Sequence, residues 1–145
     1  MALLDSKQLN PRLTGSFTLS GSLSTEKNTR IVSNITEIIK VTVVSDGGNK
    51  YAFEGATAPN ITVAEGKTYR FDTSDSSNLT HPFRFSITEN GSHGGGSAYT
   101  TGVTVNGTAG QNNSYTEISI SKVTPNHLYY YCTAHSGDRK STRLN

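Results

Sequence analysis

Leu128-Tyr-Tyr-Tyr-Cys-Thr-Ala-His-Ser-Gly137 contains the only cysteine of the chain and, three residues later, a histidine. An aromatic run of this kind suits a pleated, half-buried surface, so Leu128 to Cys132 is predicted to be a strand. Period-2 alternation sends Leu128, Tyr130 and Cys132 toward the core and Tyr129 and Tyr131 to the outer face. Thr133 and Ala134 begin a turn that brings the His135 imidazole back beside the sulfur. One soft sulfur next to one imidazole is half of a copper or zinc site, so further ligands must come from elsewhere.

The chain has four histidines, which keeps the choice small. His81 lies in Asn78-Leu-Thr-His-Pro-Phe-Arg-Phe85, at the entrance to a strand in which Phe83, Phe85 and Ile87 alternate, which is a rim position. His93 lies in the glycine-rich loop Asn90-Gly-Ser-His-Gly-Gly-Gly96, where water is the expected neighbour. His127 is five residues before Cys132 and so falls on the opposite strand face. The economical ligand set is His81, Cys132 and His135.

These residues carry a resemblance. Ile61-Thr-Val-Ala-Glu-Gly-Lys-Thr-Tyr-Arg-Phe71, then His81, then Tyr-Tyr-Cys132-x-x-His135-x-Gly137 resembles the blue-copper cupredoxins, plastocyanin above all, over roughly residues 36 to 137. More narrowly, Asp72-x-Ser-Asp-Ser-Ser-Asn78, His81-Pro82, His93-Gly-Gly-Gly-Ser-x-Tyr-Thr-Thr-Gly-Val103 and Tyr-Tyr-Tyr-Cys-Thr-x-His-Ser-Gly137 resemble a cupredoxin-like module. That module recurs in structural and fibre-type proteins of marine phages and metagenomes. The resemblance implies one copper ion held by His81, Cys132 and His135.

Two departures limit what carries over. Pro82 follows the first histidine where blue-copper proteins commonly have asparagine, which removes a backbone N–H and a bracing side chain. The only methionine is Met1, so the weak axial ligand is missing, and Asp138 stands where the phage-type module would place it. Asp138-Arg-Lys-Ser-Thr-Arg-Leu-Asn145 resembles a translated sequencing adapter, which makes it an artefactual tail. Without it the basic count falls from 13 to 10 (Arg139, Lys140, Arg143) and the acidic count from 11 to 10 (Asp138), so net charge falls from +2 to 0. No nucleic-acid partner is then expected, since no basic stripe remains.

A hydrophobic content of 32%, with abundant Ser, Thr, Asn and Gly, suits a β-sandwich with solvated outer faces better than a helical bundle. No segment approaches the ~20 apolar residues of a membrane span, and Met-Ala-Leu-Leu-Asp-Ser-Lys-Gln8 lacks the apolar region of a secretory signal. Gly15-Ser-Phe-Thr-Leu-Ser20 and Gly21-Ser-Leu-Ser-Thr25 form an approximate echo of the kind that stacks in fibre shafts. Residues 1 to 21 also resemble the start of marine phage fibre-type proteins. A Ser/Thr-rich disordered leader is the alternative.

Strands are predicted at Ile35–Val44, Tyr51–Phe53, Ile61–Val63, Thr68–Phe71, Phe83–Ile87, Tyr99–Val105, Tyr115–Ile120 and Leu128–Cys132. Ser45-Asp-Gly-Gly-Asn49 is read as a turn and Glu65-Gly66-Lys67 as a hairpin turn. The helical look of Ile35-Thr-Glu-Ile-Ile-Lys40 yields to the β-branched run that follows it.

Each residue has a plainer reading: a buried lone cysteine is most often a small hydrophobe, and single histidines are usually loop or edge residues. Only the joint fit lifts them. Asn34, Asn60, Asn78, Asn90, Asn106 and Asn112 match the glycosylation sequon as compositional coincidence. Asp72 and Asp75 read as turn chemistry. Gly94-Gly-Gly96 lacks the lysine and helix of a phosphate loop, and no oriented base accompanies a nucleophile, so no enzyme is expected.

The expectation is therefore an all-β chain: a Greek-key cupredoxin-like β-sandwich over 31–137, C-terminally truncated, after an extended fibre-like segment over 1–30 and before the artefactual tail 138–145. It is expected to be a virion-associated appendage protein, with other virion or fibre subunits as partners and a homotrimer through the N-terminal segment. The alternatives are a soluble blue-copper electron carrier and a metal-free interaction module on the same fold.

Overall fold

The computed structural model describes residues 36–136. The fibre-like segment over 1–30 and the tail over 138–145 lie outside the described residues. The described part is all-β and sandwich-like, with strands β1 (Thr36–Ser45), β2 (Asn49–Phe53), β3 (Ala56–Thr57), β4 (Thr68–Asp72), β5 (Phe83–Ser86), β6 (Val103–Asn106), β7 (Tyr115–Ser119) and β8 (Tyr129–Cys132). One sheet has the order β3-β2-β1-β4-β7-β6, and β5 and β8 pair as a second, two-stranded sheet.

The long β1 explains how the large sheet holds together. Its first half, Thr36 to Lys40, pairs in parallel with β4, and its second half, Val41 to Ser45, pairs antiparallel with β2. The turn after Ser45 closes that hairpin with Gly47 and Gly48 at positive φ, the conformation glycine adopts without a Cβ penalty. Registers place side chains in rows across the inner face: Ile39, Phe71, Thr116 and Val105 in one, Tyr69, Ile118 and Val103 in the next. Ile38, adjacent to Ile39, points the other way and is 63% exposed, which is the period-2 outcome and settles this segment as strand.

The two sheets meet in an aromatic core. Phe83 of β5 stacks on Phe71 of β4 and on Tyr130 of β8, at centroid distances of 5.1 and 5.7 Å, and meets Tyr51, Phe53 and Phe85 edge-on. Thr116 Oγ1 donates to the Phe83 carbonyl at 3.0 Å, tying β7 to β5. Rings in offset-stacked and edge-to-face pairs each add about 0.5–1.5 kcal/mol beyond area burial.

Several expectations need correction. Ile61–Val63 is not a strand: Ile61 makes only an isolated bridge. The turn at Glu65-Gly66 therefore closes no hairpin, and its Gly66 N–H goes to the Ile120 carbonyl at 2.8 Å. Ile87 lies beyond the end of β5 and is 64% exposed. The strand begun at Tyr99 starts only at Val103, because the Tyr99 N–H donates to Phe85 O as a single lateral contact. The parallel β1–β4 pair and the short β3 were not anticipated.

The largest correction concerns Tyr131, expected on the outer face and found buried. That face is covered by a 3-10 turn at Gly91–Gly94. Gly91 has φ +53 and lies so close to Tyr131 that a Cβ there would overlap the tyrosine ring. Leu128, Tyr130 and Cys132 are buried as expected, and Tyr129 is half-buried.

Candidate metal centre

Three side chains predicted as ligands are brought together: no two of the ligand atoms of His81, Cys132 and His135 lie more than 4.8 Å apart. Cys132 Sγ is 3.8 Å from His81 Nδ1 and 3.5 Å from His135 Nδ1, and the two imidazole centroids are 4.6 Å apart. Imidazole bonds of about 2.0–2.1 Å and a thiolate bond of about 2.3 Å put N and S about 3.6 Å apart at a tetrahedral angle and about 3.8 Å apart at a trigonal one. The 3.8 Å distance matches the trigonal value, and the 3.5 Å distance lies just under the tetrahedral one. Among the described residues no further His, Cys, Asp or Glu joins the group.

Each of the three side chains is positioned by a different part of the chain. Cys132 ends β8 opposite Phe83 of β5, so the aromatic core forms the floor beneath the sulfur. His81 is buried, not at the rim as the sequence reading placed it. It follows a 3-10 turn at Ser76–Asn78, which begins where Asp75 Oδ1 accepts from the Ser77 N–H and hydroxyl. These two bonds, the backbone one first, hold the Asp75 carboxyl below its ordinary value.

That turn is bolted to β1. Asn78 Nδ2 donates to Val41 O at 2.8 Å, Ser77 Oγ accepts from the Val43 N–H at 2.9 Å, and the His81 N–H donates to Asn78 O at 2.8 Å. From β2, the Tyr51 hydroxyl donates to His81 O at 2.9 Å in a buried bond. Asn78 is fully buried, which makes its sequon unusable and agrees with the coincidental reading. His135, in contrast, is exposed on the bend after β8.

Pro82, whose arrival after His81 removed an expected brace, supplies another: its carbonyl accepts from the Thr133 N–H at 3.1 Å. Of the remaining histidines, His127 is exposed and outside the group, as expected. His93 is exposed too, but it does not simply face water, because its Nε2 lies 3.1 Å from Cys132 O. Asn49, at the start of β2, places its side-chain amide 3.5 Å from His81 Nε2. With the amide turned so that Oδ1 faces the ring, it accepts from Nε2–H and keeps the proton off Nδ1, the nitrogen that faces Cys132 Sγ.

Sequence reasoning missed Asn49, Tyr51, Asn78 and His93 as supports. Two of them left a trace in stretches quoted for the resemblance: Asn78 at the end of Asp72-x-Ser-Asp-Ser-Ser-Asn78, and His93 inside the glycine-rich loop. A thiolate with two imidazoles is a donor set for copper or zinc. No protein-family model matches the chain, and comparison with curated proteins and with solved structures gives no match.

Proposed function

We propose that residues 36–136 form a mononuclear copper-binding module and that the chain is part of a virion appendage. The metal half is supported by one observation, the convergence of Cys132 Sγ with two Nδ1 atoms at sulfur–nitrogen distances of 3.8 and 3.5 Å, in a group no wider than 4.8 Å over a buried floor. Copper is favoured over zinc because the set among the described residues is His₂Cys, the set of trigonal copper electron-transfer sites, whereas structural zinc takes four firm ligands. The appendage half is supported by the sequence resemblance to fibre-type proteins. Bound copper would supply one-electron cycling between Cu(I) and Cu(II). The protein's own part is to hold the sulfur and the His81 ring dry and in place while His135 faces solvent.

The exposure of His135 favours a second reading, in which the same domain acts as a soluble electron carrier with this imidazole as the contact point. Native mass spectrometry of the full chain after addition of Cu(I) or Zn(II) tests the metal half. One copper per chain, retained against an equimolar zinc challenge, is expected, and a metal-free protein under those conditions would leave the interaction-module reading. Recovery of the chain's peptides from density-purified virus particles tests the appendage half, and their confinement to particle-free fractions would favour the soluble carrier.

A further inference from the structure

We propose that His93 is a positioning residue for the metal centre, setting the orientation of the peptide that links the Cys132 and His135 ends of the site. The inference rests on the metal-site reading above. A carbonyl oxygen only accepts, so the 3.1 Å contact between His93 Nε2 and Cys132 O requires the proton on Nε2, with that nitrogen donating. The N–H on the other side of the same peptide unit, that of Thr133, donates to Pro82 O at 3.1 Å. The Cys132–Thr133 peptide is therefore fixed from both sides, by a carbonyl next to His81 and by an imidazole from the glycine-rich loop.

This peptide is the pivot of the site. Its rotation changes ψ of Cys132, which directs the chain from the sulfur ligand toward His135. The loop that delivers His93 is itself fixed: Gly91 packs against the Tyr131 ring, and the turn is bounded by left-handed Asn90 and Gly95. Glycine is required at its other close approaches as well, since a Cβ at Gly96 would stand 2.5 Å from the Thr88 side chain. A histidine on a loop so constrained acts as a fixed donor aimed at one carbonyl. Supporting groups that orient metal ligands in this way typically change metal affinity about 10- to 100-fold when removed.

The test uses the full chain with His93→Phe, which keeps a planar ring and loses the donor, and His93→Gln, which restores an N–H. Cu(II) is the probe, with affinity read by competition against a chelator and geometry read from the Cu(II)–thiolate absorption band. H93F is expected to bind copper about 10- to 100-fold more weakly with a shifted band, and H93Q to recover most of both. Wild-type affinity and band in H93F, or no recovery in H93Q, would overturn the proposal. A metal-free arm measures the rate at which a thiol reagent modifies Cys132, expected to rise in H93F and return in H93Q. If wild-type protein takes no copper, the metal-site reading fails by itself, and equal thiol rates in the three proteins would then overturn the anchoring role too.

Discussion

The His81 side of the site and the His135 side are built differently although their rings lie 4.6 Å apart. His81 is buried, and its backbone is held by Asn78 and by the Tyr51 hydroxyl, with the turn before it attached to β1 by two hydrogen bonds. His135 stands exposed on a bend three residues past Cys132. One histidine is thus positioned by the fold and the other by a short loop. On the proposed metal-site reading, affinity would depend on both, whereas stability of the metal-free protein would depend mainly on the first.

Phe83→Ala should break the fixed side most severely. Phe83 faces Cys132 across the β5–β8 pair and contacts five other aromatic rings. Truncation of such a ring costs about 3–5 kcal/mol, readable by urea unfolding, and metal binding should fall with it. A loss below about 1 kcal/mol would mean that the aromatic floor does not carry the site.

Asn78→Ala should come next. It removes a buried bond to Val41 O and leaves that carbonyl short of a donor, at a cost of about 1–3 kcal/mol. Because the turn leading to His81 loosens, copper affinity should fall as well. Unchanged affinity in a destabilised N78A protein would separate the turn's structural role from its role in aiming the ligand.

A sharper contrast comes from the two histidines themselves. His81→Ala is expected to destabilise the metal-free protein by about 1–3 kcal/mol, and His135→Ala to stay within about 0.5 kcal/mol. Both should abolish tight copper binding. Equal melting effects would erase the distinction between a fixed and an open side.

The smallest effect concerns Asp75. Its depressed folded pKa means that the carboxylate contributes stability above its ordinary value of 3.8, and that this contribution is lost as pH falls through the lower folded value. Asp75→Asn should therefore lower the melting temperature slightly near neutrality, with the difference from wild type shrinking in acid. The ion pair with Lys40, at 3.4 Å and largely solvated, should add at most a few tenths of a kcal/mol, so Lys40→Ala is expected to be nearly silent.

The three residues that converge were legible as candidates in the sequence because their chemistry is concentrated: one cysteine, a histidine three residues on, and a histidine at a strand entrance. Strand alternation also gave the burial of Leu128, Tyr130 and Cys132. It failed at Tyr131 because the cover comes from Gly91, whose loop obeys no period and reaches β8 from far along the chain. His93 was misread for the same reason, its partner being a main-chain oxygen 39 residues away. The parallel β1–β4 pair is a non-local contact that no local pattern encodes. Ile61–Val63 had the alternation of a strand and lacked a neighbouring strand to pair with along its length, so propensity was not enough.

The central assignment is most directly tested by adding one equivalent of Cu(II) to wild-type protein and to Cys132→Ser, and recording the visible absorption and electron paramagnetic resonance spectra. An intense thiolate-to-copper band at one copper per chain, present in the wild type and absent from C132S, is the expected result. No such band in the wild type, or copper bound with the same spectrum by C132S, would contradict a metal centre at His81, Cys132 and His135.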